Sequence, residues 1–270
     1  LEQIKIECPD LETELSSKYY SDGRISSTPL FTKEENEYIE NAEPVTVKLM
    51  LGAKPLSYME DGEPAGIFVE YLKLLSKKSG IEFEIELETT AMTMEQQTTQ
   101  IIQEDYIMLR AKRALLNSEA NGQLISTNTL FSTQLSYVKR RDEMEDSEKE
   151  DMVFAITGEM GYLVELLKET NPNYEIKYYD NAAECLEAVY DHEVDVAIQD
   201  SYMITYLLQK PKYADKLVEC PGKDFYNGMC LIASEDDAQL ISILNKTIHH
   251  IASEEQESIV TMELLMNPYE

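Results

Sequence analysis

The side chains best suited to chemistry are few, or badly spaced for it. Three histidines, His192, His249 and His250, leave little scope for imidazole catalysis, and the last two stand beside the polar face of a C-terminal helical segment. There is no phosphate-binding Gly-Lys loop, no Gly-x-Gly-x-x-Gly turn, no Gly-x-Ser-x-Gly elbow and no His-Glu-x-x-His pair. Asp195 and Asp200 are carboxylates that could in principle share acid and base work. They bracket an apolar strand, however, and a chain with 52 acidic residues produces such pairs by chance. No catalytic residue, no cofactor and no enzyme activity is therefore expected.

Four cysteines, Cys8, Cys185, Cys220 and Cys230, show no Cys-x-x-Cys spacing and no neighbouring histidine, so no metal site is expected. Cys220 and Cys230 flank the turn-rich Pro221-Gly222-Lys223-Asp224, and either a disulfide or two buried thiols fits that spacing. Lys+Arg 23 against Asp+Glu 52 leave a net charge of -29, which repels nucleic acid and anionic lipid and excludes the former as a partner. No apolar run reaches the roughly 18 residues that cross a bilayer. The chain opens on Leu1-Glu2-Gln3-Ile4 with neither initiator Met nor signal peptide, as a mature or excised fragment would.

The elements that would hold a site follow from periodicity. Thr32 with Glu35 forms a capping box ahead of a helix through Ile39. Val45–Leu51 alternates as a strand, Ile67–Ser79 has helical spacing and stops at Gly80, and Ile81–Leu87 alternates again. Helix over most of 92–123, strand pieces at Tyr106–Leu109 and Gln134–Val138, and then the charged run 139–151 follow. Beyond it the same order restarts: strands at Met152–Ile156, Tyr174–Tyr178, Val194–Ile198 and Met229–Ala233 alternate with helices at Gly161–Thr170, Ala182–Tyr190 and Tyr202–Gln209, before two C-terminal helices. Strand–helix–strand order implies parallel α/β units. The expected division is a connector over 1–43, a first lobe over 44–138 plus 235–270, a solvated hinge over 139–151, and a second lobe over 152–234. One unbroken sheet, or lobes welded by a broad apolar seam, would count against a cleft between them.

Three motifs in order resemble one family. They are Lys54-Pro55-Leu56-Ser57-Tyr58-Met59-Glu60-Asp61-Gly62-Glu63-Pro64-Ala65-Gly66 after the first strand, Gly158-Glu159-Met160-Gly161-Tyr162, and Cys185–Tyr190 running into Val194-Asp195-Val196-Ala197-Ile198-Gln199-Asp200. Across about residues 44–256 the chain looks like an amino-acid-type periplasmic solute-binding protein. Pro29–Ile39 is similar to linkers in membrane sensors with a histidine kinase or diguanylate cyclase inside, and Glu14–Tyr20 to the tail of a preceding domain of the same kind.

The resemblance implies an α/β, two-lobed, type II periplasmic-binding-protein fold with two crossover strands as hinge. It also implies a small-molecule ligand, amine-containing or another small metabolite, held between the lobes by helix N-termini, an aromatic surface and a few charges. On this chain the expected ligand-binding residues are Tyr58, Arg110, Arg113, Gly158, Met160, Gly161, Asp200 and Tyr226. Asp200 occupies the family's amine-binding position, where it can equally cap the helix from Ser201. The family's carboxylate-binding arginine is replaced by Ser118-Glu119 and its stacking aromatic by Ala53, which speaks against an ordinary α-amino acid; Arg110 or Arg113 would have to supply the cation. The implied role is an extracytoplasmic, membrane-anchored sensor domain, joined to transmembrane and cytoplasmic signalling domains of its own polypeptide. A transporter's substrate-binding subunit and a degenerate interaction module are the alternatives.

Overall fold

The capping box forms as expected: Thr32 N–H donates to Glu35 Oε2 at 2.7 Å and Glu35 N–H to Thr32 Oγ1 at 3.2 Å, opening helix α1, Lys33–Asn41. This is a computed structural model that describes residues 20–21, 24–25, 29–52, 54–89, 94–112, 123–143 and 151–266. Glu35 does more than cap. Its carboxylate also accepts from Ser242 Oγ (2.8 Å) and Lys246 Nζ (2.6 Å), which ties α1 to a C-terminal helix.

In chain order the strands are β1 Tyr20–Ser21, β2 Arg24–Ile25, β3 Val45–Met50, β4 Tyr58–Glu60, β5 Glu63–Ala65, β6 Phe83–Glu88, β7 Ile107–Ala111, β8 Leu124–Ser126, β9 Phe131–Arg140, β10 Val153–Thr157, β11 Glu175–Tyr179, β12 Val196–Asp200 and β13 Leu217–Ser234. The remaining helices are α2 Ile67–Ser79, α3 Met94–Glu104, α4 Val164–Thr170, α5 Ala182–Tyr190, α6 Ser201–Leu207, α7 Ala238–Ile248 and α8 Ser253–Met266. In the first half β3 pairs in parallel with β6 and β7; in the second, β10 pairs in parallel with β11 and β12. Both are the units expected from the alternating patterns. Gly80 closes α2 in the left-handed region at φ 81°, where a side chain would be strained.

The halves meet through two long antiparallel strands. β9 and β13 pair from Phe131↔Met229 to Arg140↔Leu217, with a bulge between Pro221 and Tyr226. On one side of the bulge β9 pairs with β12 in the second half; on the other β13 pairs with β7 and β8 in the first. Hydrogen bonding therefore runs unbroken through nine strands, the outcome named above as counting against a cleft, but the crossing strands β9 and β13 alone carry it from one half to the other. The reason is that each long strand belongs to both halves. The buried side chains still fall into separate sets. One gathers around Tyr71, Leu72, Ile243 and Leu244, and two others cover opposite faces of β10 and β12, around Leu186 and Val189 and around Ile156 and Leu163. Side chains of the second half reach the first core at Tyr202 and Met203 of α6, with the Tyr202 ring 6.1 Å from that of Phe131, so the strand crossing is the main join and no broad apolar seam welds the halves.

Two further expectations change. Pro221-Gly222 is no turn: it lies inside the 18-residue β13, because pairing with β9 outweighs local turn propensity and a bulge tolerates the proline's missing N–H. Cys220 and Cys230 consequently sit far apart along one strand, opposite Tyr137 and Arg110 respectively, and both are free thiols. Within the charged run, Arg140 is buried rather than solvated. Its Nη1 donates to the carbonyls of Val189 and Val194, both at 2.7 Å, and its Nε and Nη2 to Glu143 at 2.9 and 2.6 Å. One guanidinium thus clamps the end of β9 to the connection between α5 and β12.

Candidate functional site

Between the halves lies a cavity of about 100 Å³. The first half contributes Arg110, from the end of β7, with Ser57 and Phe68; the second contributes Thr157, Met160 and Asp200. Thr133 and Asn227, register partners on β9 and β13, form the wall where the two strands cross. Met50, Met203 and Met229 line much of the remainder, so the lining is apolar with a handful of buried polar groups.

The turn that shapes the first half's wall depends on Gly66. A Cβ there would lie 2.5 Å from the Leu56 carbonyl oxygen, and its φ of 114° is accessible to glycine alone at low cost. The close approach lets Phe68 N–H donate to that same carbonyl at 3.0 Å and starts α2 beside the cavity.

Asp200 is the most perturbed group on the wall. It is 4% exposed, and burial pushes its carboxyl up to about 6, with the Glu219 charge adding to the rise. The amides of Tyr202 and Met203 oppose that rise. Tyr202 N–H donates to Asp200 Oδ1 at 3.0 Å, so Asp200 caps α6 while facing the cavity. Asp195 serves the fold instead, accepting Val153 N–H at 2.8 Å and standing 3.8 Å from Arg140. The two carboxylates thus lie at opposite ends of β12 and are not brought together for acid–base exchange. Among the described residues no group of three His, Cys, Asp or Glu side chains could hold a metal ion, and no helix is long and apolar enough to cross a membrane.

Of the eight residues singled out in the sequence, Arg110, Met160 and Asp200 line the cavity. Arg113 lies outside the described residues. Gly158 and Gly161 sit off the wall, in a 3-10 turn over Gly158–Leu163 that delays the α-helix to Val164. The helix N-terminus expected at that spot is accordingly displaced. Tyr58 is buried away from the cavity; its hydroxyl donates to Glu263 of α8 at 3.1 Å, and burial with that carboxylate raises its pKa. Tyr226 is 54% exposed, because the bulge in β13 turns it outward.

Thr133, Thr157, Gln199 and Asn227 join the wall without having been singled out by the sequence. A signal existed for Thr133, since Phe131, Thr133 and Leu135 share one buried phase of β9, and a polar residue in such a phase needs a partner or a function. Asn227 carried none, because it falls between the turn-rich Pro221-Gly222-Lys223-Asp224 and the strand expected from Met229.

No family model matches the chain. It is 22% identical over 238 residues to the virulence sensor protein BvgS of Bordetella bronchiseptica and of Bordetella parapertussis, a match that covers 86% of this chain. The chain spans about a fifth of the length of these curated relatives (19%). Among solved structures, a BvgS VFT2 domain of Bordetella pertussis superposes with a TM-score of 0.73 at 19% identity, covering 87% of this chain and 99% of that one. The fold is that of the periplasmic-binding-protein-like domains. A histidine kinase sensor domain similar to periplasmic binding proteins aligns with a TM-score of 0.64 at 15% identity over 84% and 98% of the two chains. The substrate-binding protein of an amino acid ABC transporter follows at 0.61 and 14%, over 82% and 99%.

Proposed function

We propose that this chain is an extracytoplasmic sensor domain of a membrane-anchored signal-transduction protein, which closes on a small molecule and catalyses nothing. The observation that carries this reading is the interlobe cavity, walled by buried polar groups from both halves and from the strands that join them. Such a site binds best when the halves are together, so a ligand shifts an opening equilibrium by its preference for the closed arrangement. The hinge of this motion is the crossing of β9 and β13 near Gln134 and the Pro221–Tyr226 bulge, upstream of the charged run. The similarity to BvgS over 86% of the chain supports a sensor, and transmembrane and cytoplasmic signalling domains would then be its partners within one polypeptide.

Structural likeness to a transporter's substrate-binding protein supports a second reading, the free binding subunit, though at a lower TM-score. Fractionation and protease protection of the full-length gene product separate the two: the sensor stays with membranes after a high-salt wash and keeps a protected cytoplasmic part, whereas a free subunit leaves with the periplasmic extract and a lipid-anchored one stays without any cytoplasmic part. Ligand binding is tested by thermal unfolding against amino acids, amines, small carboxylates, peptides and sugars. A ligand at a hundred times its Kd stabilises by about 2.7 kcal/mol, a rise in Tm of roughly 5–10 °C for a domain of this size. No rise with any class would overturn the binding role in favour of an interaction module.

A further inference from the structure

Resting on that reading of the cavity as a ligand site, we propose that its ligand is a small 2-hydroxy-carboxylate anion rather than an amino acid. Size comes first. The cavity measures about 100 Å³. Apolar cavities of about 150 Å³ take a molecule of benzene's size, so about four non-hydrogen atoms fill the space as it stands. The smallest 2-hydroxy-carboxylates, with about five or six, fit where the adaptable methionines of the wall give way. Charge comes second. Arg110 is 7% exposed on the wall, and a guanidinium keeps its charge at every ordinary pH and presents a planar fork of donors that matches a carboxylate. The opposing carboxyl, Asp200, caps α6 and faces the same cavity, where burial favours its neutral form; a neutral acid donates to a bound carboxylate and does not draw an ammonium.

The third group is Asn227, 9% exposed on the same wall, whose Oδ1 has no hydrogen-bond partner among the described residues. A buried amide end without a partner costs free energy that a ligand can recover. A hydroxyl both donates and accepts, so it complements either end of the amide. Arg110 and Asn227 both line the one cavity, the first from β7 of the first half and the second from the crossing strand β13. Met50, Met160, Met203, Met229 and Phe68 surround what is left and suit a short alkyl tail. The surface charge of -29 repels anions and slows their approach. That field is screened within about 10 Å, so the equilibrium is decided by the groups in the cavity.

The test is isothermal titration of the 270-residue chain with L-lactate, D-lactate and glycolate, beside alanine, propionate and ethanolamine. Lactate or glycolate should bind, and propionate should bind at least about tenfold more weakly for want of the hydroxyl. Arg110→Gln should weaken lactate binding by at least about tenfold, and Arg110→Lys, which keeps the charge but not the fork, by less. Asn227→Leu should reduce the preference for lactate over propionate, a readout that loss of folding does not mimic, with unliganded Tm as the control. Binding of alanine or ethanolamine without the hydroxy acids would overturn the anion assignment and leave the sensor reading intact. Equal affinity for lactate and propionate would remove Asn227 from it. No heat with any of these, together with no thermal shift across the wider panel, would sink both.

Discussion

Replacing Asp200 by asparagine isolates the electrostatic cost of the one carboxyl buried in the cavity wall. Asparagine keeps the shape and the oxygen that receives Tyr202 N–H, so the cap on α6 survives almost unchanged. Burial raises the native carboxyl from an ordinary 3.8 to about 6. The native state therefore holds a proton that the unfolded chain has released, and stability from this group is full below about pH 4 and is lost as pH rises through 6. At about 1.4 kcal/mol per pH unit the whole interval amounts to about 3 kcal/mol. Of this, about 1.4 kcal/mol falls between about pH 5 and pH 8, where urea unfolding can be measured well above the pI of about 4.4. Wild type and Asp200→Asn share every other titrating group, so their difference reports this carboxyl alone. The variant should gain on wild type by about 1–2 kcal/mol as pH goes from about 5 to 8, and be the more stable protein at the upper end. A difference that stays flat within about 0.5 kcal/mol would show that Asp200 is ionised at little cost, and the account of a dry cavity wall would fail.

Other outcomes follow from the same geometry. Arg140→Ala should destabilise the chain by about 3 kcal/mol in urea unfolding, because the carbonyls of Val189 and Val194 and the Glu143 carboxylate lose a shared buried donor. Gly66→Ala should cost at least about 2 kcal/mol, since its Cβ meets the Leu56 carbonyl oxygen and the backbone must leave φ 114°. In a Cys8→Ser background a maleimide should label Cys220 well ahead of Cys185 and Cys230 in the folded protein at about pH 7.5. Burial pushes the latter two thiols up to about 12 and about 11 and hides them, so equal labelling of all three would contradict that burial, and no labelling of Cys220 would contradict its free thiol.

The local grammar of this protein was written in short-range pattern. Alternation in Val45–Leu51 and Ile81–Leu87, the Thr32–Glu35 capping box and the Ser79-Gly80 stop depend on neighbours within one or two turns, so the parallel units and the two-lobed class could be read directly from residue order. The position of Asp200 at a strand end was legible for the same reason: it caps α6 and lines the cavity. What residue order could not decide was anything set by pairing across the hinge. Pro221-Gly222-Lys223-Asp224 reads as a turn, yet the chain on either side of it finds partners in β9, β7 and β8, and those ladders override it. That single long-range choice turns Tyr226 outward, separates Cys220 from Cys230, and brings Asn227 opposite Thr133 on the cavity wall. Burial is likewise a tertiary property: Arg140, inside the charged run, looks like a surface cation in sequence, and only the folded chain shows it clamping a strand end, just as only the fold puts Arg110 on the cavity wall rather than at the surface. Propensity acts over a few residues, whereas a binding site is assembled from segments far apart in the chain, and only packing can choose which of them meet.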